Sequence, residues 1–277
     1  MEHKLIVDSC CELIPELEES LGAQAVPLSM LVDGVTYVDD QNLDVNEFLA
    51  AMKKSRKGPK SSCPSPQAYA DKLRRCMNTF VVTLSSKLSG SYNSAMIAKG
   101  LVEHEEPEKK IHVFDSLSAS AGEIAVGLKI KECIDQKLDF DSIVVKVTDF
   151  IDNMKTFFIL ESLDTLIKAG RMGMVTGHLA TVLSMRPIMT AHMGNIKLHE
   201  KVRGSDKAFA RLVEIIGECC TNFKEHTLVI THCNNEKQAN FIKEEAEKRY
   251  NFKDIKVVPT RGLSSMYANE GGVIIAF

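Results

Sequence analysis

The sequence predicts an α/β protein of two domains, an α/β/α parallel-sheet domain followed by a mixed-sheet domain covered by helices. Short apolar, β-branched runs alternate with helical periodicity to about residue 150, and two later runs are joined as a hairpin. The chain has 277 residues, 44% of them hydrophobic and 26% charged, which suits a globular protein with room for two cores. We therefore predict a first domain over residues 1–150 and a second over residues 151–277.

The first domain is predicted from three short apolar runs, Leu5–Val7, Thr79–Leu84 and Ile111–Phe114. They are β-branched and apolar on both faces, as the strands of a parallel sheet are when helices cover both sides. Between these runs, apolar residues recur at helical spacing, at Ala70, Leu73 and Met77 and again at Ile124, Ala125 and Leu128. Strand and helix therefore alternate in the doubly wound manner.

The second domain begins with candidate strands at Phe157–Leu160, Pro187–His192 and Ile196–His199. A short Met-Gly-Asn connection joins the last two as a hairpin, which predicts a partly antiparallel sheet. Two stretches of helical spacing follow. The remaining predicted strands are Leu228–Thr231, Ile255–Val258 and Val273–Phe277.

Composition argues against several kinds of partner. The 34 Lys and Arg residues are dispersed among 37 Asp and Glu residues for a net charge of −3, so we expect no nucleic-acid binding. The apolar run at Leu5 is too short for a signal peptide, and no run is long enough to span a membrane. We expect a cytoplasmic protein without stable membrane insertion. The eight cysteines form no C-x-x-C pair and no ligand pattern with histidine, so no metal is expected.

The hydroxyl-rich segment Lys60–Pro66 is the first candidate site, predicted as a stiff loop. Ser65 followed by Pro66 is typical of the N-cap and first position of a helix. Ser61 and Ser62 lie upstream of that cap, so their hydroxyls remain available as donors. A binding role and an ordinary turn both remain open for these two serines.

The serine-rich segment Ser85–Ala95 lies where a buried strand ends and a helix begins, the edge at which open α/β sheets bind ligands. Gly90 lets the backbone approach closely, and the first helical turn offers unpaired N–H groups. Ser89 adds a hydroxyl. Helix capping explains one or two of these serines, so we predict that the segment binds one small anion, such as a carboxylate or a phosphate.

Two arginines and a set of methionines complete the candidates. Arg171 follows Gly170, a predicted helix C-cap, and either anchors that cap or pairs with an acidic ligand or partner. Arg203 is an isolated basic position before a helix, where a solvated side chain is the simpler interpretation. Methionines favour a deformable apolar cavity, and six occur close together: Met154, Met172, Met174, Met185, Met189 and Met193.

No catalytic residue is predicted. The chain has no G-x-S-x-G elbow for a serine hydrolase. It also has neither a G-x-x-x-x-G-K-[ST] phosphate loop nor a G-x-G-x-x-G dinucleotide turn. The standard nucleotide cradles are therefore missing from the sequence.

Taken together, the motifs resemble the DegV family, which includes the fatty-acid-binding B-type subunits of bacterial fatty-acid kinase. The resemblance extends over essentially the whole chain. It is carried by Val7-Asp8-Ser9, Val26-Pro27-Leu28, Asp33-Gly34, Tyr37-Val38-Asp39-Asp40, Ser61–Ser65, Leu88-Ser89-Gly90-Ser91-Tyr92, Phe114-Asp115-Ser116 and Leu166–Met172.

The resemblance implies that one long-chain fatty acid is buried between the two domains as the ligand, with no cofactor. In such systems a separate ATP-dependent kinase subunit phosphorylates the carboxyl group of the carried acid, and the acyl phosphate enters phospholipid synthesis. The protein would then be a carrier without catalysis of its own. The alternatives are a small-molecule kinase or phosphotransferase, related to the dihydroxyacetone kinase fold, and a lipid-responsive regulatory protein.

The resemblance also assigns residues. The hydroxyls of Ser61, Ser62 and Ser89 and the backbone at Gly90 would hold the carboxylate. Tyr267 stands where the family usually has a histidine that reaches the carboxylate, and its phenol can still donate a hydrogen bond. By the same resemblance, the two basic positions that would meet the kinase subunit or the phosphate are Arg171 and Arg203.

Overall fold

The structure is a computed structural model that describes residues 3–172 and 185–277. Its strands are β1 (His3–Asp8), β2 (Ala23–Val26), β3 (Ser29–Val32), β4 (Val35–Val38), β5 (Lys60–Ser62), β6 (Asn78–Thr83), β7 (Lys110–Asp115), β8 (Thr156–Ile159), β9 (Met185–His192), β10 (Asn195–Arg203), β11 (Thr227–His232), β12 (Asp254–Pro259) and β13 (Val273–Ala276). Its helices are α1 (Pro15–Leu21), α2 (Val45–Lys54), α3 (Pro66–Leu73), α4 (Ser91–Glu105), α5 (Ala121–Asp135), α6 (Phe140–Asn153), α7 (Asp164–Lys168), α8 (Ser205–Cys219), α9 (Glu236–Arg249) and α10 (Gly262–Ala268).

The first sheet is parallel and has the strand order β2-β1-β6-β7. The three strands predicted for it are confirmed, with ends shifted by one or two residues. β2 was not predicted, because its four residues show no regular alternation and include exposed Gln24. A segment this short carries too little periodicity to stand out from a loop.

The second sheet is mixed, with the order β10-β9-β8-β13-β11-β12. The predicted hairpin is confirmed as β9 and β10, and Met193 and Gly194 both take positive φ in its turn, at 49° and 78°. β11 and β12 pair in parallel, whereas β13 runs antiparallel to both β8 and β11. The last strand of the sequence order therefore lies in the middle of this sheet.

A third sheet, β4-β3-β5, is antiparallel and was not predicted. The sequence analysis placed Ser61 and Ser62 in a loop, and that prediction is wrong. Both serines lie in β5, where Ser61 pairs with Met30 and Ser62 pairs with Ser29. Polar three- and four-residue strands have no apolar pattern, so only the neighbouring β3 explains why this segment is extended.

Helix α5 lies between the two larger sheets and contacts β1 and β6 on one side and β11 and β13 on the other. Successive side chains of β1 therefore point alternately to the two faces of the parallel sheet. Leu5 and Val7 pack toward α5, whereas Ile6 between them packs against α3 and α4. On the far side, helices α8 and α9 cover the outer face of the mixed sheet. The layers are thus helix, parallel sheet, helix, mixed sheet and helix.

The predicted division at residue 150 falls inside α6, which ends at Asn153, just before β8. The predicted α/β class, a parallel sheet followed by a mixed sheet with helices, is confirmed by the strand pairings. The division itself remains a prediction.

Candidate functional site

A cavity of about 310 Å³ lies between the mixed sheet and the loops at the carboxyl ends of β6 and β7. Strand β8 and the residue after it supply alternate side chains, Thr156, Phe158 and Leu160, because one face of a strand repeats every second residue. Most of the remaining wall is aliphatic, including Leu28, Leu84, Leu117, Leu263, Ile196 and Ile274. The sequence analysis did not single out these wall residues.

All five residues predicted to bind the ligand line this cavity: Ser61, Ser62, Ser89, Gly90 and Tyr267. Arg171, predicted to meet a partner or the phosphate, lines it as well. The hydroxyls of Ser61 and Tyr267 are 2.9 Å apart, although 206 residues separate them in the sequence. One of the two hydroxyls donates to the other, which leaves the second hydrogen available for a ligand. These residues form what we call the polar end of the cavity.

Helix α4 begins at the polar end. Its N-cap residue, Gly90, makes no side-chain cap, while Ser89 Oγ accepts a hydrogen bond from Ser91 N–H at 3.2 Å. The other first-turn N–H groups and the positive end of the helix dipole favour an anion there. A Cβ on Gly90 would lie 3.0 Å from Cys63 Sγ, so glycine allows the helix to begin close to β5.

Arg171 is the one charged side chain among the described residues that line the cavity. Its Nε donates to Leu88 O at 3.2 Å, and its Nη1 donates to Ala169 O. Gly170 has φ of +73°, as the predicted C-cap requires. Arg171 therefore anchors the backbone next to Ser89 and also places positive charge at the polar end.

Arg203 is not brought to the cavity wall. It is the exposed last residue of β10 and pairs with Met185. Its role toward a partner remains a prediction. The prediction of a methionine-rich wall is wrong for the described methionines, none of which lines the cavity, because Met172 and Met189 fill the core between the sheets. Met174 lies outside the described residues.

Helix α10, which carries Tyr267, is held by two buried carboxyl groups that the sequence analysis did not assign to the site. Asp39 Oδ1 accepts from Gly262 N–H at 2.8 Å, and Asp39 Oδ2 accepts from Leu263 N–H at 2.9 Å. Glu12 Oε2 accepts from Arg261 N–H. The start of α10 is therefore capped by side chains from the first half of the chain.

Burial raises the pKa of the Glu12 carboxyl to about 8, from an ordinary value of 4.5. Hydrogen bonds from Ser264, the Arg261 N–H and Ser120 oppose this shift. Ser120 and Ser264 also line the cavity. A protonated, uncharged Glu12 therefore stands directly behind two hydroxyls of the cavity wall near neutral pH.

Asp8 connects β1 to the polar end. Its carboxylate accepts from Leu84 N–H at 3.0 Å, from Cys10 N–H at 3.1 Å and from the Ser91 hydroxyl at 2.7 Å. Burial raises the pKa of Asp8, and these hydrogen bonds act against that shift. Asp8 thus fixes the end of β6 and the first residue of α4 relative to each other.

Residues 3–172 and 185–277 contain no group of three side chains arranged to hold a metal ion. His192 pairs with Asn195 in the hairpin, and the His199 ring packs edge-on against the Phe157 ring, with the ring centroids 5.1 Å apart. Over the same residues, no helix combines the length and apolar character needed to cross a bilayer.

The fold and the cavity define an α/β protein with an internal site for a molecule that has one anionic end and an apolar body. The polar end supplies hydroxyls, a helix N-terminus and a guanidinium, and the wall beyond it is mainly aliphatic. Such a site matches the general form of small-molecule pockets, in which a few polar groups fix orientation and apolar contact supplies affinity.

The chain belongs to the DegV family. The family model described as "Uncharacterised protein, DegV family" matches residues 2–277. A DegV domain-containing protein of Streptococcus pneumoniae is 33% identical over 280 aligned residues, which cover 100% of this chain and 99% of that protein.

Two solved structures share the fold over nearly their whole length. A DegV family protein of Ruminococcus gnavus, refined with vaccenic acid, has a TM-score of 0.95 at 38% identity and covers 99% of each chain. The fatty acid kinase (Fak) B3 protein of Streptococcus pneumoniae, loaded with linoleic acid, has a TM-score of 0.91 at 32% identity, with 100% of this chain and 99% of that chain covered.

Proposed function

We propose that this protein binds a long-chain fatty acid in the cavity and presents its carboxylate to a separate ATP-dependent fatty-acid kinase. The observation that carries the proposal is the cavity itself, which has a mainly apolar wall and, at one end, a group of hydroxyls beside the start of α4. Both related structures described above hold a fatty acid. The protein is then a carrier, and phosphoryl transfer takes place on its partner.

The acyl chain supplies most of the binding free energy in this proposal. Each CH₂ group removed from water contributes about 0.8 kcal/mol, so a long chain offers on the order of 10 kcal/mol before the costs of binding. We assign the carboxylate to Ser61, Ser62, Ser89, Gly90 and Tyr267. These groups orient the head rather than hold the tail.

Presentation to a kinase is supported by what the sequence lacks and by the charge at the polar end. The chain has no standard nucleotide-binding motif, so ATP has to be held by another protein. Arg171 has five N–H donors, and two of them are committed to backbone carbonyls. We propose that Arg171 and the exposed Arg203 meet the kinase subunit or the transferred phosphate.

The first test identifies the cargo. Native mass spectrometry of the protein purified from cells, followed by lipid extraction, should reveal one fatty acid per chain. Incubation with a fatty-acid kinase subunit and ATP should then yield acyl phosphate. An empty protein that also fails to take up added fatty acid would refute the carrier proposal, whereas ATP turnover by this chain alone would favour the phosphotransferase alternative.

Ser89→Ala should abolish most acyl-phosphate formation while leaving fatty acid bound. The variant loses a hydroxyl at the polar end, but the aliphatic wall that supplies most of the affinity is intact. The measurements are bound lipid by mass spectrometry and acyl phosphate formed with the kinase subunit.

Ser65→Ala is the matched control for Ser89→Ala. Ser65 Oγ also accepts from a first-turn helical N–H, that of Ala68 at 3.2 Å, but Ser65 is exposed and does not line the cavity. It should lose a little stability and keep normal phosphorylation. Complete loss of bound lipid in Ser89→Ala would mean that the anchor of the ligand is misassigned.

Tyr267→Phe should weaken fatty-acid binding at least about tenfold, since a hydrogen bond to a charged group contributes about 1.5–3 kcal/mol and about 1.4 kcal/mol is a factor of ten in affinity. The Tyr267 hydroxyl is 2.9 Å from Ser61 Oγ at the polar end. Affinity is measured by displacement of a fluorescent fatty acid. The control is Tyr250→Phe, which removes a phenol that donates to Val213 O outside the cavity. Equal effects of the two substitutions would argue against a head-group role for Tyr267.

A further inference from the structure

A buried pair of hydroxyls interrupts the aliphatic wall of the cavity. Ser118 follows β7 and Thr156 begins β8, and their hydroxyl oxygens are 2.8 Å apart. Both residues line the cavity, and they are 2% and 5% exposed. Valine would fit the strand at position 156 as well as threonine does and would keep the wall apolar. The polar pair therefore needs an explanation beyond packing.

The pair has more donors than it uses. Each hydroxyl carries one hydrogen, and the two groups share one hydrogen bond. The structure gives neither hydroxyl another partner among the described residues. One O–H donor therefore borders the cavity without an acceptor, and a buried donor left unpaired is unfavourable.

Two other serines of the wall also have buried hydroxyls. Ser120 Oγ lies 2.7 Å from the Thr231 hydroxyl, but Thr231 does not line the cavity. Ser264 Oγ lies 3.4 Å from Cys10 Sγ. Among the described residues away from the polar end, Ser118 and Thr156 are therefore the hydrogen-bonded pair of hydroxyls of which both members line the cavity.

The position of the pair along the cavity follows from β8. Leu160 lies close to α10, the helix that carries Tyr267, since its side chain and that of Ala268 approach the same point beside Gly272. Thr156 is four residues away on the same face, which is about 13 Å at the rise of a β-strand. An acyl chain whose carboxylate is at the polar end therefore passes the hydroxyl pair well along its length.

We propose that the cavity selects a fatty acid that carries a hydroxyl group in the middle of its chain, bound by Ser118 and Thr156. This inference rests on the proposed function. A ligand hydroxyl accepts the unused O–H and donates its own hydrogen to the other oxygen of the pair. Three hydroxyls then share three hydrogen bonds with no hydrogen left over. An unsubstituted chain leaves the donor unpaired.

The test compares three ligands: octadecanoic acid, its derivative hydroxylated at mid-chain, and the isomer of that derivative hydroxylated beside the carboxyl group. A ligand hydroxyl without a partner is penalised in an apolar cavity. Because Ser118 and Thr156 would supply partners for it, the wild-type protein should bind the mid-chain isomer at least as tightly as the plain acid. In Thr156→Val the mid-chain isomer should bind about tenfold more weakly, with the plain acid changed less than threefold.

Thr79→Val is the matched control, because Thr79 is a buried threonine of β6 whose hydroxyl has no partner and which does not line the cavity. Thr79→Val should leave the ratio of the affinities for the mid-chain isomer and the plain acid unchanged. If Thr156→Val fails to fold, Ser118→Ala should weaken binding of the mid-chain isomer in the same way, and the wild-type comparison of that isomer with the plain acid still decides the question. A wild-type protein that binds the plain acid but strongly rejects the mid-chain isomer refutes this inference alone, as does a ratio that Thr156→Val does not change. Failure to bind any of the three acids refutes the proposed function itself.

Discussion

Replacing Asp39 with alanine is expected to lower the free energy of unfolding by about 3 kcal/mol, because it leaves two buried N–H groups without acceptors. Asp39 is 2% exposed and receives both of its hydrogen bonds from the first residues of α10, Gly262 and Leu263. Helix α10 carries Tyr267, so fatty-acid affinity should fall in the same variant. Chemical denaturation and ligand displacement measure the two effects.

Asp44→Ala is the control that separates the effect of burial from the effect of capping a helix. Asp44 is the exposed N-cap of α2 and also accepts from two backbone N–H groups, those of Asn46 and Glu47. Water can replace an exposed cap, so this variant should lose only about 1 kcal/mol and keep normal ligand affinity. If both substitutions lower the free energy of unfolding by the same amount, the buried contact of Asp39 with α10 is no more stabilising than an exposed helix cap.

Glu12→Gln is expected to change how stability depends on pH. The pKa of Glu12 in the folded protein is about 8, against 4.5 for an ordinary glutamate, because the carboxyl is buried. Between these pH values the folded protein keeps a proton that the unfolded chain releases, so stability falls as pH rises. The contribution of Glu12 is about 1.4 kcal/mol for each pH unit over this window. Glutamine keeps the shape and removes this dependence.

Denaturation of both proteins at a series of pH values from about 5 to 8 measures the difference. The free energy of unfolding of Glu12→Gln, relative to that of the wild-type protein, should increase steadily as pH rises. Glu105→Gln is the control, because the hydrogen bond from Arg74 lowers the pKa of the exposed Glu105 from 4.5, so its contribution changes only at lower pH and its difference from wild type should stay constant over this range. A constant difference between Glu12→Gln and wild type would mean that Glu12 is ionised in the folded protein.

The two larger sheets could be predicted from the sequence because their strands are buried and apolar. The run at Thr79–Leu84 and the hairpin around Gly194 each carry a local pattern that fixes strand or turn. The small sheet could not be predicted in the same way. Its strand β4 has mostly exposed residues, and β5 is a three-residue polar segment that is extended only because it pairs with β3.

Part of the polar end of the cavity was accessible to sequence reasoning because it lies in the turn between a buried strand and a helix. Ser89 and Gly90 carry local signals, since a serine-rich segment with glycine follows a buried strand. Asp39 and Glu12 carried none, because their partners in α10 are more than 200 residues away in the sequence. Thr156 likewise gives no local sign that it faces Ser118. Such long-range pairings become visible only in three dimensions.

The central place of β13 bears on how the protein folds as it is synthesised. Strand β8 has β9 and β13 as its neighbours, and β11 has β12 and β13. Until the ribosome has produced Val273–Ala276, the mixed sheet therefore exists only as two separate pieces with open edges. Nascent chains should thus acquire the capacity to enclose cargo late, in a single closing step, after nearly all of the cavity wall has already been translated.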